Sequence, residues 1–448
     1  MVPCKFLDRY PQLRVQEPQF FCYLCGVLKR YALIALSIVL VTTSCSVTKS
    51  MRKIPVPPTP DLSAPVYDSI DIHWRPLART LALRGKMNPV GGNSVEIFTD
   101  GRTKFAAFNE DLRNAERFID MEYYRFAADT IAGVVKNILM DKAEEGVPVR
   151  MILESRSNSP KASFYKQLRK TEGIHTVDVQ PPGDPFGYIL NIDFRDHRKI
   201  AVIDGRYCYT GGMNIADVYH TEWRDTHVKL EGPIVEDFEN MFDDFWEYFG
   251  GKPFAVRPIR ETVKDGGAIM QVAQGGPYTL DRPIKDGVEQ ALAASKDYFW
   301  IQTPYLCPPI STIKAMRDAV NRGVDVRLMV PESQDVPIML GVNRYFYRRF
   351  LKAGVKLYER HDPFMHSKMY VTDDYVSCYG SANLDNRSFF LNYENNVYIY
   401  NKDVAEKSRS VFEEDLAHSR EITREDVRWN IFQRIWQGFL ILVGYSQW

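Results

Sequence analysis

Beyond about Met87, apolar residues fall into strand-length runs and helically spaced groups, and the same order occurs twice along the chain. In the first copy RFIDMEYYRF predicts a strand, a helically spaced group follows, and EEGVPVRMILE turns at Gly146 into a second strand. In the second copy YFWIQTPYLC predicts the strand, and NRGVDVRLMVP turns at Gly323 into the next. Both glycines stand where a helix ends, a position at which glycine adopts the left-handed conformation most easily.

This repeated order of strand, helix and strand predicts an α/β fold. The apolar runs Val147–Leu153 and Val324–Val330 indicate a parallel or mixed sheet that is covered by helices. We therefore expect two similar domains, at residues 87–250 and 268–420, with the charged, Gly-rich segment 250–270 as their boundary.

The first 45 residues carry a targeting pattern. A basic pair precedes an apolar run, Tyr31–Val41, which is shorter than the ~20 residues that span a bilayer and fits the core of a secretory signal. Cys45 closes the segment and is a lipidation candidate, because the pattern resembles a bacterial lipoprotein signal. An uncleaved membrane anchor and a cleaved signal are the alternatives. Residues 46–86, which include IPVPPTPDLSAP, predict a Pro-rich linker, so we expect an exported part anchored at a bacterial cell membrane.

The C-terminal segment, residues 427–448, is amphipathic or apolar. WNIFQRIWQGFLILVGYSQW places apolar side chains on one helical face, with Arg434 nearly the only charge. A core helix that closes the domain and an interfacial helix with Trp at the headgroup level both fit this pattern. Membrane contact is the favoured interpretation.

Composition narrows the classes of function. The chain of 448 residues has 57 basic and 57 acidic residues and a pI near 7.1, whereas nucleic-acid binding usually needs a basic surplus. We therefore expect no nucleic-acid partner. The seven cysteines show neither a metal-binding spacing nor a disulfide framework, and we expect no metal and no cofactor.

One spaced motif occurs in both halves. DHRKIAVID and MHSKMYVTD each hold a His, a Lys two residues on, and an Asp five residues after the Lys. Fourteen residues after each His comes GGMN or GSAN, and twenty-eight residues after each His stands an acidic residue. The matched positions are His197 and His366, Lys199 and Lys368, Asp204 and Asp373, Asn214 and Asn383, and Asp225 and Glu394. Four features at one offset indicate duplication rather than chance.

The duplicated motif fits phosphoryl transfer. Residues two apart on a strand share a face, so His197 and Lys199 point together, as do His366 and Lys368. If the halves pack around a pseudo-twofold axis, both pairs meet in one pocket. Lys and Asn groups would bind the non-bridging phosphate oxygens, one imidazole would attack phosphorus, and the other would protonate the leaving alcohol. A solvated strand face is the alternative for a single copy, and two matched copies argue against it.

The acidic residues of the motif have two predicted roles. Asp225 and Glu394 are expected to accept a hydrogen bond from a His and fix its tautomer, with solvated surface charges as the alternative. Asp204 and Asp373 complete the triplets and are grouped with the catalytic residues, although their positions at Asp-Gly and Asp-Asp turns favour a structural role.

HxKxxxxD with GGxN or GSxN, present twice, resembles the phospholipase D superfamily. The flanks GMNIADVY, TPYLCP, GVKLYER and GSANLDNRSFF are similar to bacterial cardiolipin synthases of that superfamily, over roughly residues 85–430. The resemblance implies two pseudo-symmetric α/β/α sandwich domains that share one active site, and a phosphatidyl-histidine intermediate. It also implies crossed partners, Asp225 for His366 and Glu394 for His197, and we favour His197 as the nucleophile.

The resemblance makes a phosphatidyltransferase of cardiolipin synthase type the expected function, joining two phosphatidylglycerol molecules and releasing glycerol. A phospholipase D-type hydrolase or transphosphatidylase is the main alternative, and a nuclease or an inactive lipid-binding protein are further ones. The expected partners are phospholipid substrates and a membrane surface, with no obligate protein partner.

Overall fold

The computed structural model describes most of the chain beyond the predicted targeting segment. The described residues, which belong to one compact unit, are 60–158, 163–179, 194–253, 267–277 and 281–428. The predicted signal with Cys45, and the C-terminal segment from residue 429, lie outside them. Within these ranges, no helix combines the length and the apolar character needed to cross a bilayer.

The first half alternates strands and helices as its apolar pattern predicts. After a helix α1 (Arg75–Gly85), its elements are β1 (Val90–Phe98), α2 (Gly101–Arg113), β2 (Ile119–Tyr123), α3 (Thr130–Glu144), β3 (Val149–Glu154), α4 (Ser163–Lys170), β4 (Ile174–Val179), β5 (Lys199–Ile203), β6 (Tyr207–Gly211), β7 (His227–Glu231) and α5 (Ile234–Tyr248). The side chains of Asp100 and Asp129 accept the main-chain N–H groups of Thr103 and Ala132 and so begin α2 and α3. Gly146, at φ 89°, follows the end of α3.

The second half follows the same order with four additional short elements. Its elements are β8 (Ala268–Gly275), α6 (Pro283–Ala294), β9 (Tyr298–Gln302), β10 (Leu306–Cys307), α7 (Ile310–Asn321), β11 (Asp325–Pro331), α8 (Pro337–Lys352), β12 (Lys356–Arg360), β13 (Met369–Thr372), β14 (Val376–Gly380), β15 (Leu384–Asp385), α9 (Asn386–Phe390), β16 (Glu394–Tyr400), α10 (Lys402–Ala417) and β17 (Ser419–Ile422). The additional elements are β10, β15, α9 and β17. Gly323, at φ 97°, follows α7 as Gly146 follows α3.

Apart from the short strands β10 and β15, which pair with each other, the strands of both halves join into one sheet. Its order is β17-β12-β11-β9-β13-β14-β16-β8-β1-β7-β6-β5-β2-β3-β4. Read outward from the antiparallel pair β8–β1, the two sides repeat each other, and β17 is added at one edge. The parallel pairs β2–β3 and β9–β11, together with the antiparallel neighbours β5 and β13, make each half a mixed sheet. The predicted pseudo-symmetric α/β architecture is confirmed.

Three apolar clusters bury the faces of this sheet. One packs α2, α3 and α4 on the first half, and a second packs α1, α6, α7 and α8 on the second half. The third contains residues of both halves, among them Phe238 of α5 and Phe412 of α10. Strands β2, β3 and β5 are buried along their whole length. The buried acidic residues of β2 have charged partners, because Asp120 pairs with Arg150 and Glu122 pairs with Arg198.

The linker that the sequence predicts does not extend to residue 86. Residues Pro65–Ser69 form a short 3-10 helix and α1 follows, with Leu77, Leu81 and Ala82 completely buried in the apolar cluster of the second half. The prediction extended the linker to residue 86 on the Pro-rich composition of IPVPPTPDLSAP. The apolar residues of α1, however, have the spacing of a helix that packs one face against a core. That part of the prediction is wrong.

The Asp of each His–Lys–Asp triplet directly follows a strand. Asp204 follows β5 and its carboxylate accepts the main-chain N–H groups of residues 116–118, at 2.8 to 3.2 Å. Asp373 follows β13 and accepts those of residues 296–298, at 2.8 to 3.0 Å. Each Asp lies a strand length, about 17 Å, from the Lys of its own motif. Grouping Asp204 and Asp373 with the catalytic residues was therefore wrong, and these contacts are structural.

We predict that Asp204→Ala destabilises the protein but leaves kcat of the folded protein nearly unchanged. The substitution leaves three main-chain N–H donors, two of them partly buried, without their charged acceptor, which should lower the free energy of unfolding by about 2 kcal/mol. Denaturant unfolding measures the stability, and kcat below the unfolding transition measures the chemistry. A large loss of kcat with unchanged stability would contradict this assignment.

Candidate active site

Main-chain hydrogen bonds between the halves place the two histidines. The N–H of His197 donates to the carbonyl of Tyr393 at 2.9 Å, and the N–H of His366 donates to the carbonyl of Arg224 at 2.7 Å. Parallel bridges Asp196–Tyr393 and Arg224–Met365 form at the same points. Each His segment is thus fixed beside the residue that precedes the acidic residue of the other half.

The acidic partners are crossed between the halves. Nδ1 of His197 lies 3.0 Å from both carboxylate oxygens of Glu394, and Nδ1 of His366 lies 2.8 Å from Oδ2 of Asp225. All four side chains are buried, and burial lowers the pKa of both imidazoles, that of His366 the more strongly. A neutral imidazole that donates its Nδ1–H to a carboxylate keeps a lone pair on Nε2. This tautomer is the one that nucleophilic or base catalysis needs, and Nζ of Lys368 lies 3.1 Å from Nε2 of His366, where it can donate to that lone pair.

The two motif lysines lie beside their histidines. Nζ of Lys199 donates to the carbonyl oxygen of His197, and Nζ of Lys368 donates to that of His366 at 2.6 Å. Burial lowers the pKa of Lys199 to about 7 and that of Lys368 to about 8, and the charges of Glu394 and Asp225 oppose this fall in both. Each lysine therefore interacts electrostatically with the carboxylates of both halves. The two His–Lys pairs and the two carboxylates thus form one electrostatic site.

The carboxylate of Glu394 accepts several donors besides its histidine. The hydroxyl of Ser381 donates to it at 2.5 Å, that of Ser388 at 2.8 Å, and the amide of Asn392 at 3.1 Å. Burial alone would raise the pKa of Glu394, but His197, Lys199 and the Ser381 hydroxyl hold it below its usual value. Sequence reasoning missed these three donors, although the serine of GSAN is visible as a departure from GGMN.

The carboxylate of Asp225 has fewer donors. Besides His366 it accepts the main-chain N–H of Thr226 at 2.7 Å, and burial raises its pKa to about 7. Gly212 stands where the second half has Ser381, and a Cβ there would lie 2.1 Å from Oδ1 of Asp225. The glycine is required because the carboxylate fills that space. The two His–carboxylate pairs therefore differ in how firmly they hold a negative charge.

The two motif asparagines are held differently. The side chain of Asn214 accepts the N–H of Arg125 at 3.0 Å and donates to the hydroxyl of Tyr219 at 2.8 Å, which leaves one amide hydrogen for a ligand. The side-chain oxygen of Asn383 is buried and has no hydrogen-bond partner among the described residues. Asn383 therefore has the freer amide of the two.

Aromatic rings surround one histidine more than the other. The rings within 6.2 Å of His366 are Tyr219, Trp223, Phe364 and Tyr305, and Tyr124 lies 4.9 Å from His197. The His366 side thus has an apolar wall that the pseudo-symmetric position lacks among the described residues. Within the same ranges, no group of three or more His, Cys, Asp or Glu side chains could hold a metal ion.

Comparison with known proteins agrees with this geometry. The family model described as "Cardiolipin synthase, PLD-like domain" matches residues 108–246 and 288–416, one match in each half. A cardiolipin synthase of Halalkalibacterium halodurans is 34% identical over 361 residues, which cover 78% of this chain and 71% of that protein. The major cardiolipin synthase of Bacillus subtilis is 34% identical over 344 residues, covering 75% and 71%.

A solved structure shares the fold. The phosphatidylserine synthase of Haemophilus influenzae superposes with a TM-score of 0.63 at 15% identity, over 82% of this chain and 98% of that one. At that identity the similarity concerns the fold alone. The sequence matches, which span both halves and most of the relatives' length, go further: the chain belongs to the PLD-like cardiolipin synthase family.

Proposed function

We propose that this protein is a phosphatidyltransferase that joins two phosphatidylglycerol molecules into cardiolipin and glycerol. The observation that carries the proposal is the crossed arrangement in which each half supplies a His–Lys pair and the carboxylate that orients the other half's His. Family membership supports the lipid substrates, since the matched relatives are cardiolipin synthases.

The first step forms a phosphatidyl-histidine. Nε2 of His197 attacks phosphorus, an N–P bond forms, and the P–O bond to the glycerol headgroup breaks. His197 is favoured for this role because Glu394 holds its charge firmly and keeps Nδ1 protonated, so that the lone pair stays on Nε2. The ammonium groups of Lys199 and Lys368 and the free amide of Asn383 bind the non-bridging oxygens, where negative charge is stabilised most.

His366 supplies the proton that the leaving glycerol needs. The pKa of Asp225, raised to about 7 by burial, lets the Asp225–His366 pair hold one exchangeable proton near neutral pH. Nε2 of His366 donates it to the departing oxygen. In the second step the same nitrogen takes a proton from the hydroxyl of a second phosphatidylglycerol, whose oxygen attacks phosphorus and displaces His197. A water molecule in that position would give phosphatidic acid instead.

We also propose that the described part works at a membrane surface, because both substrates are bilayer lipids. The predicted signal and the lipidation candidate Cys45 support an anchor there, and both lie outside the described residues. The apolar segment 429–448, also outside them, is a second candidate for membrane contact.

We predict that purified protein converts labelled phosphatidylglycerol in vesicles to cardiolipin and glycerol, and that His197→Ala and His366→Ala each lower the rate at least about 1,000-fold. Each substitution removes a group from a shared catalytic unit, so that neither half can compensate. Thin-layer chromatography of the lipids measures the products. His361→Ala is the control, because that ring is exposed and binds Glu332. Phosphatidic acid as the sole product, or near-normal turnover in either variant, would contradict the proposal.

We predict a bell-shaped dependence of kcat/KM on pH, with its maximum below about pH 7. As the pH falls, His197, whose pKa burial lowers, gains a proton on Nε2 and can no longer attack phosphorus. As the pH rises through about 7, the Asp225–His366 pair loses the proton that the leaving glycerol needs. Lys199 and Lys368, with pKa values lowered to about 7 and about 8, then also lose the charge that binds phosphate. Initial rates at constant ionic strength measure the profile. If kcat/KM did not change between about pH 6 and about pH 9, these groups would not control turnover.

A further inference from the structure

The loops after β3 and β11 break the pseudo-symmetry at the site. In each half an Asn side chain accepts a main-chain N–H of the segment that follows β2 or β9. Asn158 accepts that of Phe126 at 2.8 Å, and Asn343 accepts that of Leu306 at 2.9 Å. Three residues lie between the end of β3 and Asn158, whereas eleven lie between the end of β11 and Asn343. The second half therefore has eight additional residues at this point.

The additional segment brings a carboxylate to the His366 side of the site. The hydroxyl of Tyr305 donates to Oδ1 of Asp335 at 2.7 Å, and the main-chain N–H of Val336 donates to the same oxygen at 2.9 Å. The ring of Tyr305 lies 6.2 Å from that of His366. Burial lowers the pKa values of His366 and Lys368, and the charge of Asp335 is among the groups that oppose this. Asp335 itself is exposed, so it stands at the rim of the site.

The chemistry of this rim fits a hydroxyl group. An ionised carboxylate only accepts hydrogen bonds, and it repels phosphate. Among the residues that the structure describes, Oδ2 of Asp335 has no hydrogen-bond partner, whereas Oδ1 accepts hydrogen bonds from Tyr305 and Val336. The rings of Trp223 and Phe364, which lie beside His366, can contact the carbon atoms of an alcohol but have no hydrogen-bond acceptor. A small alcohol that approaches His366 here would pack its carbons on these rings and donate a second hydroxyl to Asp335.

We propose, building on the phosphatidyltransferase function above, that Asp335 is a specificity-determining residue for the acceptor. It accepts a hydrogen bond from the non-attacking hydroxyl of the glycerol headgroup, while the attacking hydroxyl faces Nε2 of His366. Water has no second hydroxyl at that distance and lacks the carbons that fill the aromatic wall. The contact therefore favours transfer to a vicinal diol over hydrolysis.

Two soluble acceptors of similar size test this inference with phosphatidylglycerol vesicles as donor. Incorporation of labelled glycerol into phosphatidylglycerol measures transfer to a diol, and formation of phosphatidyl-1-propanol measures transfer to an alcohol without the second hydroxyl. We expect glycerol to be preferred in kcat/KM, and Asp335→Ala to lower the glycerol-to-propanol ratio about tenfold, the effect of one hydrogen bond to a charged group. Asp335→Asn, which keeps an acceptor oxygen, should lose less, and the ratio of phosphatidic acid to cardiolipin should rise in Asp335→Ala.

The matched control is Glu332→Ala, an exposed carboxylate on the same loop that binds His361 instead of Tyr305, and it should leave the ratio unchanged. An equal loss with both alcohols would show that Asp335 acts on His366 and not on the acceptor, and an unchanged ratio would show no contact at all; either result overturns the inference. If the wild-type protein transfers phosphatidyl groups to no alcohol and yields phosphatidic acid alone, the proposed function itself fails.

Discussion

The two crossed hydrogen bonds between imidazole and carboxylate are the constraint on which the rest of the site depends. Glu394 reaches His197 and Asp225 reaches His366, and all four side chains are buried. A buried carboxylate without such a donor would be costly, and a buried imidazole without an acceptor would lose its fixed tautomer. Neither half can therefore build an active site alone. The continuous sheet through β8 and β1, and the bridges beside each His, keep the halves in the relation that these contacts need.

The two halves are similar, and small differences between them give the two carboxylates different surroundings. Where the first half has Gly212, the second has Ser381, whose hydroxyl donates to Glu394. The pKa of Glu394 is lowered although burial opposes this, whereas burial raises the pKa of Asp225 to about 7. A firmly ionised carboxylate suits a nucleophile, and a pair that shares a proton near neutral pH suits acid–base work. The eight-residue extension that carries Asp335 adds a third difference, on the side of His366 where we propose that the acceptor binds.

The sequence was informative wherever a residue's role follows from local spacing. The repeated offsets predicted the two His–Lys pairs and the two carboxylates that the structure brings into contact. The apolar runs predicted the mixed sheet, because the burial of strands and helices gives their sequences periodic apolar patterns. Asp204 and Asp373 share that offset but cap strand ends, since spacing records duplication and not distance from the chemistry. Ser388 and Asn392, which bind Glu394, have no match in the first half to draw attention to them. Helix α1 was not predicted, because the Pro-rich sequence before it led to the assignment of the whole segment as a linker.

Nuclear magnetic resonance of the imidazole nitrogens tests the crossed arrangement most directly. With histidine labelled in ¹⁵N, Glu394→Gln should shift the nitrogen resonances and the pKa of His197 and leave those of His366 nearly unchanged. Asp225→Asn should do the reverse. These outcomes are expected because each carboxylate contacts one ring only, 141 or 197 residues away in the chain. If each substitution instead perturbed the histidine of its own half, the shared site and the mechanism built on it would be wrong.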